Sequence, residues 1–256
     1  MEITYGDIIQ LGRHRLMCGD STITGDIDKL MQGLKADMCF TDPPYAAFGS
    51  STGMFNGIVD TRMIEPFLRS TLGGIKTIVK DFGHVYVTCD YRTYHAWRKC
   101  ADEIYFPLKN LIVWVKSRGG GLGSNYTNCH EFVMFFHREP EVNKLAMTDK
   151  KSGGRLVRGK GNVWFYNKVI RKLSEKLHNA EKPLPMVVEA IQNSSEPGDL
   201  VVDLFGGSGT TLSACEQTER TCYMMEIEPE HCLTIIKRWE QETGKKAKVL
   251  KESGKA

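Results

Sequence analysis

Two consecutive prolines after a short apolar run place the strongest local constraint on this chain. Residues 36–40 are predicted to form a buried strand. The strand must end at Asp42, because Pro43 and Pro44 offer no N–H group to a sheet and each fixes its own φ angle. The backbone therefore turns a stiff corner before Tyr45, which leaves a carboxylate, unpaired carbonyls and an aromatic ring at the strand's end. An Asp-Pro pair alone indicates a turn, but the full run suits a flat ring that bears an amino group.

A second transition from strand to loop lies at residues 200–211. The apolar run from 200 to 205 predicts a buried strand, and the glycines that follow let a ligand approach the backbone without a Cβ in the way. The dinucleotide fingerprint would need glycine at position 212, which is leucine, and a phosphate-binding loop would need a lysine that is missing here. Glu226 ends the next predicted strand, where its carboxylate can accept both hydroxyls of a ribose. This pattern favours a ligand that has a ribose and lacks a diphosphate.

In this order, the Asp-Pro-Pro-Tyr run and the glycine loop of residues 203–211 resemble the β class of DNA methyltransferases, which modify exocyclic amino groups with S-adenosylmethionine. The resemblance assigns the target base to four catalytic residues: Asp42, Pro43, Pro44 and Tyr45. It assigns the cofactor to a larger set: Asp20, Asp42, Lys182, Asp203, Phe205, Gly206, Gly207, Ser208, Gly209, Thr210, Thr211 and Glu226. Residues 178–183 are similar to the family's His-Pro-x-x-Lys-Pro motif, with Asn179 in place of its first proline. Lys182 would then face the carboxylate of the cofactor.

The predicted fold is α/β, with a mostly parallel sheet and helices on both faces, because helical periodicity fills most connections between strands. Seven strands are predicted, near residues 14–18, 36–40, 84–89, 108–116, 130–137, 200–205 and 221–226. The resemblance implies a Rossmann-like methyltransferase fold with one antiparallel strand, circularly permuted so that the catalytic half comes first. It divides the chain into that half at 1–137, a basic insertion at 138–177, a cofactor-binding half at 178–245 and a flexible tail at 246–256.

The net charge of +3 is distributed unevenly. Residues 138–182 hold 12 Lys and Arg against 5 Asp and Glu, whereas the rest of the chain holds 22 against 26. Because phosphate neutralisation supplies much of the affinity for nucleic acids, the insertion is the predicted target-recognition region, with a solvated basic face as the alternative. Within it, Trp164 and Phe165 either contact bases or anchor the insertion to the core. The residues expected to contact DNA are Phe48, Lys150, Lys151, Arg155, Arg158 and Lys160.

Other classes of protein are disfavoured by composition. No run approaches the roughly 18 apolar residues that cross a bilayer, and the N-terminus carries no signal-like segment. The eight cysteines include no Cys-x-x-Cys pair, so we expect reduced and mostly buried thiols rather than disulfides or a zinc cluster. We therefore expect an enzyme of the bacterial cytoplasm, or one encoded by a phage, with no membrane segment and no metal. A homodimer is left open.

The predicted reaction is direct methyl transfer from S-adenosylmethionine to N6 of adenine in double-stranded DNA, as in restriction–modification systems, with the base flipped out of the duplex. In the resembled family, Asp at the first motif position accompanies adenine more often and Ser accompanies cytosine. Cytosine N4 is therefore the alternative target. An RNA methyltransferase and a catalytically silent DNA-binding subunit are further alternatives. The joint presence of Asp42, Tyr45, the glycine loop and Glu226 argues against the silent subunit.

Overall fold

The computed structural model describes residues 1–45, 61–116, 126–139, 160–167, 169 and 181–250. Its helices are α1 (Thr24–Met31), α2 (Glu65–Ile78), α3 (Tyr94–Glu103), α4 (Leu184–Ser194), α5 (Thr210–Gln217) and α6 (Pro229–Thr243), with a short 3₁₀ helix at Thr61–Ile64. Its strands are β1 (Ile8–Leu11), β2 (His14–Cys18), β3 (Ala36–Thr41), β4 (Val79–Cys89), β5 (Leu108–Val115), β6 (His130–His137), β7 (Val163–Phe165), β8 (Leu200–Asp203), β9 (Thr221–Glu226) and β10 (Lys248–Leu250). In this part of the chain the strands form one sheet, in the order β10-β1-β2-β9-β8-β3-β4-β6-β5-β7.

The middle of the sheet is parallel. Strands β2, β9, β8, β3 and β4 run in the same direction as their neighbours in that series. Strands β1 and β6 run in the opposite direction. The α/β class with a mostly parallel sheet is therefore confirmed. Two numbers differ from the expectation, since the described residues contain ten strands instead of seven and two reversed strands instead of one.

The strands that the sequence did not predict are β1, β7 and β10, which are three or four residues long. Runs this short cannot establish an alternation of apolar and polar residues. Strand β10 corrects the expectation of a flexible tail at 246–256 for Lys248–Leu250 only, because it pairs antiparallel with β1 and sets Leu250 opposite Ile8, while residues 251–256 lie outside the described part of the chain. Val249 packs against the core at this edge, which compensates for the lysines around it.

Each face of the sheet carries its own apolar core. One core contains buried residues of α4, α5 and α6, and the other contains buried residues of α1, α2 and α3. Neighbouring strand residues divide between the two cores, as with Val201 and Val202 of β8 or Met224 and Met225 of β9. This division follows from the period of two in a strand, and it confirms that helices cover both faces.

The eight cysteines are free thiols, and seven of them are buried, with Cys129 exposed. Among the described helices, none combines the length and apolar character that would be needed to cross a membrane.

Two buried histidines are held as neutral rings. Nδ1 of His14 accepts the backbone N–H of Cys222 at 2.9 Å, so Nε2 carries the proton and donates to Glu216 at 2.6 Å. Burial lowers the pKa of His14 to about 4. Burial, together with the neighbouring ring of His137, also lowers the pKa of His84 to about 4. Both imidazoles therefore resist protonation as long as the protein stays folded.

Acidification from pH 6.5 to pH 4 should lower the free energy of unfolding. In this window the unfolded chain binds protons at positions 14 and 84 while the folded chain does not, so stability is present above pH 6.5 and lost as the pH falls towards 4. Each histidine contributes up to about 1.4 kcal/mol per pH unit. Urea unfolding at several pH values measures the slope. The variant His84→Gln should show a shallower slope than the wild type, and an equal slope in the two proteins would contradict this account.

Candidate active site

The predicted site residues meet at one edge of the sheet. Asp42 follows β3, the glycine loop follows β8, and Glu226 ends β9, all strands that run in the same direction. Asp20 follows β2, which pairs with β9. The carboxyl ends of these parallel strands lie side by side, which is where open α/β sheets bind ligands.

A pocket of about 560 Å³ opens between these strand ends. Phe67 and Phe205 form an aromatic wall, with ring centroids 5.8 Å apart and planes at 63°. Five carboxylates line the pocket: Asp20, Asp42, Glu226, Glu228 and Glu230. Among its described lining residues there is no lysine or arginine. The pocket is thus aromatic and strongly acidic, and it suits a ligand that carries positive charge.

The carboxylate of Glu226 is fixed by the backbone around it. It accepts the N–H of Gly207 at 2.7 Å on one oxygen and the N–H of Glu228 at 3.0 Å on the other. The side chain is largely buried yet lines the pocket. Since each carboxylate oxygen has a second lone pair, both can still accept a hydroxyl from a ligand.

A smaller pocket, of about 30 Å³, continues from this region towards the start of α5. It is lined by Asp42, Lys182, Asp203 and a group of hydroxyls, namely Ser208, Thr210 and Thr211. The carboxyl of Asp203 accepts hydrogen bonds from Thr41 at 2.8 Å and from the N–H of Phe205 at 3.0 Å. Burial nevertheless raises the pKa of Asp203 to about 7.

Two of the three loop glycines serve packing. A Cβ on Gly206 would lie 2.9 Å from Met224, and one on Gly209 would lie 3.2 Å from Ile235. Gly209 also has a φ of +79°, in the region that favours glycine. Of the three, Gly207 lines the larger pocket, where its Cβ would meet only the carbonyl oxygen of Phe205, at 4.0 Å, and Gly206 lines the smaller pocket. The expectation that these glycines admit a ligand stays a prediction, and packing gives Gly206 and Gly209 a second reason to be glycine.

Asp42 belongs to a partly buried ionic cluster. Its carboxylate accepts the hydroxyl of Thr88 and pairs with Nζ of Lys182 at 2.7 Å. The same Nζ lies 3.5 Å from Glu131, which also accepts the hydroxyl of Tyr45 at 3.0 Å. The ammonium of Lys182 sits 5.0 Å from the centre of the Tyr45 ring. Asp42 and Tyr45, predicted from one motif, are therefore joined through two residues from distant parts of the chain.

Charges in this cluster hold each other in their ionised forms. Burial lowers the pKa of Lys182, but Asp42 and Glu131 outweigh it, so the net shift is upward. Burial raises the pKa of Glu131, yet Lys182 and Lys116 outweigh it and the net shift is downward. Burial and the two carboxylates raise the pKa of Tyr45 well above its usual value. Near neutral pH, the cluster thus contains an ammonium, a carboxylate and a phenol that donates.

Sequence reasoning did not find Thr88, Lys116 or Glu131. The signal was a charged residue at the end of an apolar strand, as at Lys116 after β5 and Glu131 near the start of β6. This signal could be interpreted only with the direction of β6. Because β6 is reversed, its first residues lie at the edge of the sheet that holds Asp42.

The residues predicted to contact DNA fall mostly outside the described part of the chain: Phe48, Lys150, Lys151, Arg155 and Arg158. Lys160 is described, and its ammonium pairs with Glu189 at 2.9 Å. Trp164 is buried against the core and Phe165 is 75% exposed, so only the first anchors the segment.

Comparison with known proteins finds a matching family profile and similar enzymes. The profile of the DNA methylase family of N6 and N4 methyltransferases matches residues 36–238. The type II methyltransferase M.BglII of Bacillus subtilis is 27% identical over 231 residues, which cover 76% of this chain and 61% of that protein. M.HpaI of Haemophilus parainfluenzae is 25% identical over 217 residues, covering 80% of this chain and 68% of that protein. This chain thus spans about three fifths to two thirds of the length of these relatives.

Solved structures show the same fold. A complex of M1.HpyAVI with SAM superposes with a TM-score of 0.63 at 24% identity, over 87% of this chain and 97% of that one. The cytosine-N4-specific PvuII DNA methyltransferase gives a TM-score of 0.66 at 19% identity, over 91% and 89%. The family profile spans most of the length of this chain, and the fold is that of known DNA methyltransferases. The chain therefore belongs to the DNA methylase family of N6 and N4 methyltransferases.

Proposed function

We propose that this chain transfers a methyl group from S-adenosylmethionine to N6 of adenine in double-stranded DNA, as a permuted β-class enzyme. The observation that carries the proposal is the placement of Asp42 and Tyr45 beside an acidic, aromatic pocket at the carboxyl ends of β3, β8 and β9. M.BglII and M.HpaI are named type II methyltransferases, which supports a role in restriction–modification.

The cofactor fits the two pockets by charge and by shape. S-adenosylmethionine carries a sulfonium and an ammonium and has no phosphate, which suits a pocket with five carboxylates and, among its described residues, no lysine or arginine. The carboxylate of Glu226 would hold the ribose, and Phe205 would cover the adenine. The methionine end would reach the smaller pocket, where Lys182 and the hydroxyls at the start of α5 suit a carboxylate. The Asp20 carboxylate lines the same large pocket, held by the N–H and hydroxyl of Thr22.

The chemistry then depends on how the protein treats the target nitrogen. Bound S-adenosylmethionine supplies an electrophilic methyl group on a good leaving group. Asp42 and the carbonyl of Pro43 would accept hydrogen bonds from the two N–H groups of the base and stabilise the positive charge that develops on its nitrogen. As the new N–CH3 bond forms, the S–CH3 bond would break to leave a neutral thioether, and the methylated nitrogen would lose one proton to Asp42 or to solvent. Tyr45 would stack on the flipped base, an interaction worth roughly 1–3 kcal/mol. Positioning can therefore supply much of the rate, without a covalent nucleophile.

The choice between adenine and cytosine rests on the aspartate at position 42. The motif association of aspartate with adenine favours N6, while cytosine N4 is the second candidate because its amino group has the same chemistry. The PvuII enzyme, a cytosine-N4 methyltransferase by name, shares the fold, so the fold itself does not separate the two targets.

DNA binding and chain organisation extend the proposal. We propose that the basic insertion at 138–177 supplies target recognition and phosphate contacts, between a catalytic half at 1–137 and a cofactor-binding half that begins at 178. Its charge excess, with 12 basic against 5 acidic residues over 138–182, supports this role. The setting would be the cytoplasm of a bacterium, or of a bacterium infected by a phage.

Tritium transfer from labelled S-adenosylmethionine tests the proposal. Genomic DNA that lacks methylation should accept label, and digestion to nucleosides should place it on N6-methyladenine. Label on N4-methylcytosine would move the target to cytosine. Label on RNA alone would contradict a DNA substrate, and cofactor binding without transfer to any nucleic acid would favour the silent subunit.

A further inference from the structure

Glu131 reaches the site because β6 runs against its neighbours. Its partner across β5 is Trp114, and the adjacent pairing with β4 sets Val133 opposite Thr88. The start of β6 therefore lies at the same edge as the ends of β4 and β5. The carboxylate of Glu131 therefore lies close to Asp42, which follows β3.

Three contacts converge on this one carboxylate. One oxygen accepts the hydroxyl of Tyr45 at 3.0 Å and lies 3.5 Å from Nζ of Lys182. The other oxygen accepts a hydrogen bond from the ammonium of Lys116. The side chain is 17% exposed, so these contacts form in a largely desolvated place. Glu131 thereby holds the phenol end of the ring proposed to stack on the base.

Glu131 also shares Lys182 with Asp42. The ammonium lies 2.7 Å from Asp42 and 3.5 Å from Glu131, so the two carboxylates divide one positive charge. Without the second carboxylate, the attraction of Lys182 would fall on Asp42 alone. An aspartate fully committed to an ammonium is a poorer acceptor for the amino group of a base, and it stabilises less of the positive charge that develops there.

A purely structural role explains this arrangement less well. Buried ion pairs contribute little net stability, because desolvation offsets their attraction. A structural role would also not explain why Glu131 contacts both Lys182, which pairs with Asp42, and Tyr45, which is proposed to stack on the base. The cluster connects β3, β4, β5, β6 and the residue before Pro183, five separate parts of the chain, at the single point where chemistry is proposed.

We propose that Glu131 is a positioning residue for methyl transfer: it fixes the ring of Tyr45 and shares the ammonium of Lys182 with Asp42. The inference rests on the proposed methyltransferase function and adds a residue to it. Glu131 itself touches neither base nor cofactor, and it acts through Tyr45 and Lys182.

The test replaces Glu131 with glutamine, which keeps the size and one acceptor and removes the charge. Single-turnover transfer should slow roughly 10- to 100-fold, since misplacement of about 1 Å in a reacting group can cost about 10²-fold. The Kd for S-adenosylmethionine and the Kd for duplex DNA should stay within about twofold of wild type. Glu131→Asp, which restores the charge on a shorter side chain, should recover part of the rate. Rates are divided by the fraction of molecules that bind cofactor, so that any unfolded protein is not counted.

Glu65→Gln is the matched control. Glu65 is 13% exposed and also holds two cations, with Lys99 at 2.8 Å and Arg69 at 3.9 Å, on the outer surface of α2 and α3. Its loss should leave the rate within about twofold. An unaltered rate in Glu131→Gln, or an equal loss in Glu65→Gln, would overturn the proposal. If the wild type itself transferred no methyl group, the proposed function would fail instead.

Discussion

Replacing Asp42 with asparagine should slow methyl transfer by roughly 10²–10³-fold, the loss seen when one preorganised electrostatic group is removed from an active site. The amide keeps the size of the side chain and one acceptor, but it loses the charge that would stabilise a positive target nitrogen. Lys182 would lose its 2.7 Å partner and turn to Glu131. Because Asp42 also lines the cofactor pocket, S-adenosylmethionine should bind a few-fold more weakly. Single-turnover tritium transfer and titration calorimetry measure the two effects separately.

Asp37→Asn provides a control on the same strand. Asp37 lies in β3, pairs with Lys80 at 2.5 Å and accepts the N–H of Leu200, far from the strand end that holds Asp42. This variant removes one carboxylate and one ion pair, as Asp42→Asn does, and should transfer methyl groups within about twofold of wild type. The proposed mechanism would be abandoned if Asp42→Asn retained a rate within a few-fold of wild type.

The sequence was sufficient to predict that the residues proposed to bind ligands lie at one edge of the sheet. Asp42 follows a short, mostly apolar strand and Glu226 ends another, and parallel strands place their carboxyl ends at one edge. Two consecutive prolines, glycines in a row and a terminal carboxylate are local signals. They could be combined because the direction of each central strand follows from its helical connection.

The ionic cluster could not be predicted in the same way. Its members come from β3, β4, β5, β6 and position 182, and their contacts depend on the reversal of β6. The sequence around Glu131 does not indicate that this glutamate accepts a hydrogen bond from Tyr45. The packing role of Gly206 and Gly209 could not be predicted either, because the side chains that approach them, Met224 and Ile235, belong to other elements. Short edge strands also escaped, because three or four residues show no period.

Replacing Glu226 with alanine should raise the Kd for S-adenosylmethionine by roughly 100-fold. Hydrogen bonds to a charged acceptor contribute about 1.5–3 kcal/mol each, and 1.4 kcal/mol corresponds to tenfold in affinity. The variant removes the acceptor for the ribose hydroxyls and also the partner of the Gly207 and Glu228 N–H groups. The glycine loop is therefore expected to lose part of its fixed geometry together with the ribose contact. Titration calorimetry gives the change in affinity directly.

Glu230→Gln separates direct contact from the general acidity of the pocket. Glu230 lines the same pocket from the first turn of α6, and the variant removes one negative charge while leaving the bonds of Glu226 intact. A more exposed charge acts through water and contributes little, so the Kd should rise by no more than about threefold. Equal losses in Glu226→Ala and Glu230→Gln would mean that net charge alone attracts the cofactor. Wild-type affinity in Glu226→Ala would remove Glu226 from the ribose site, and the end of β9 would then have only the structural task of bonding the backbone of the glycine loop.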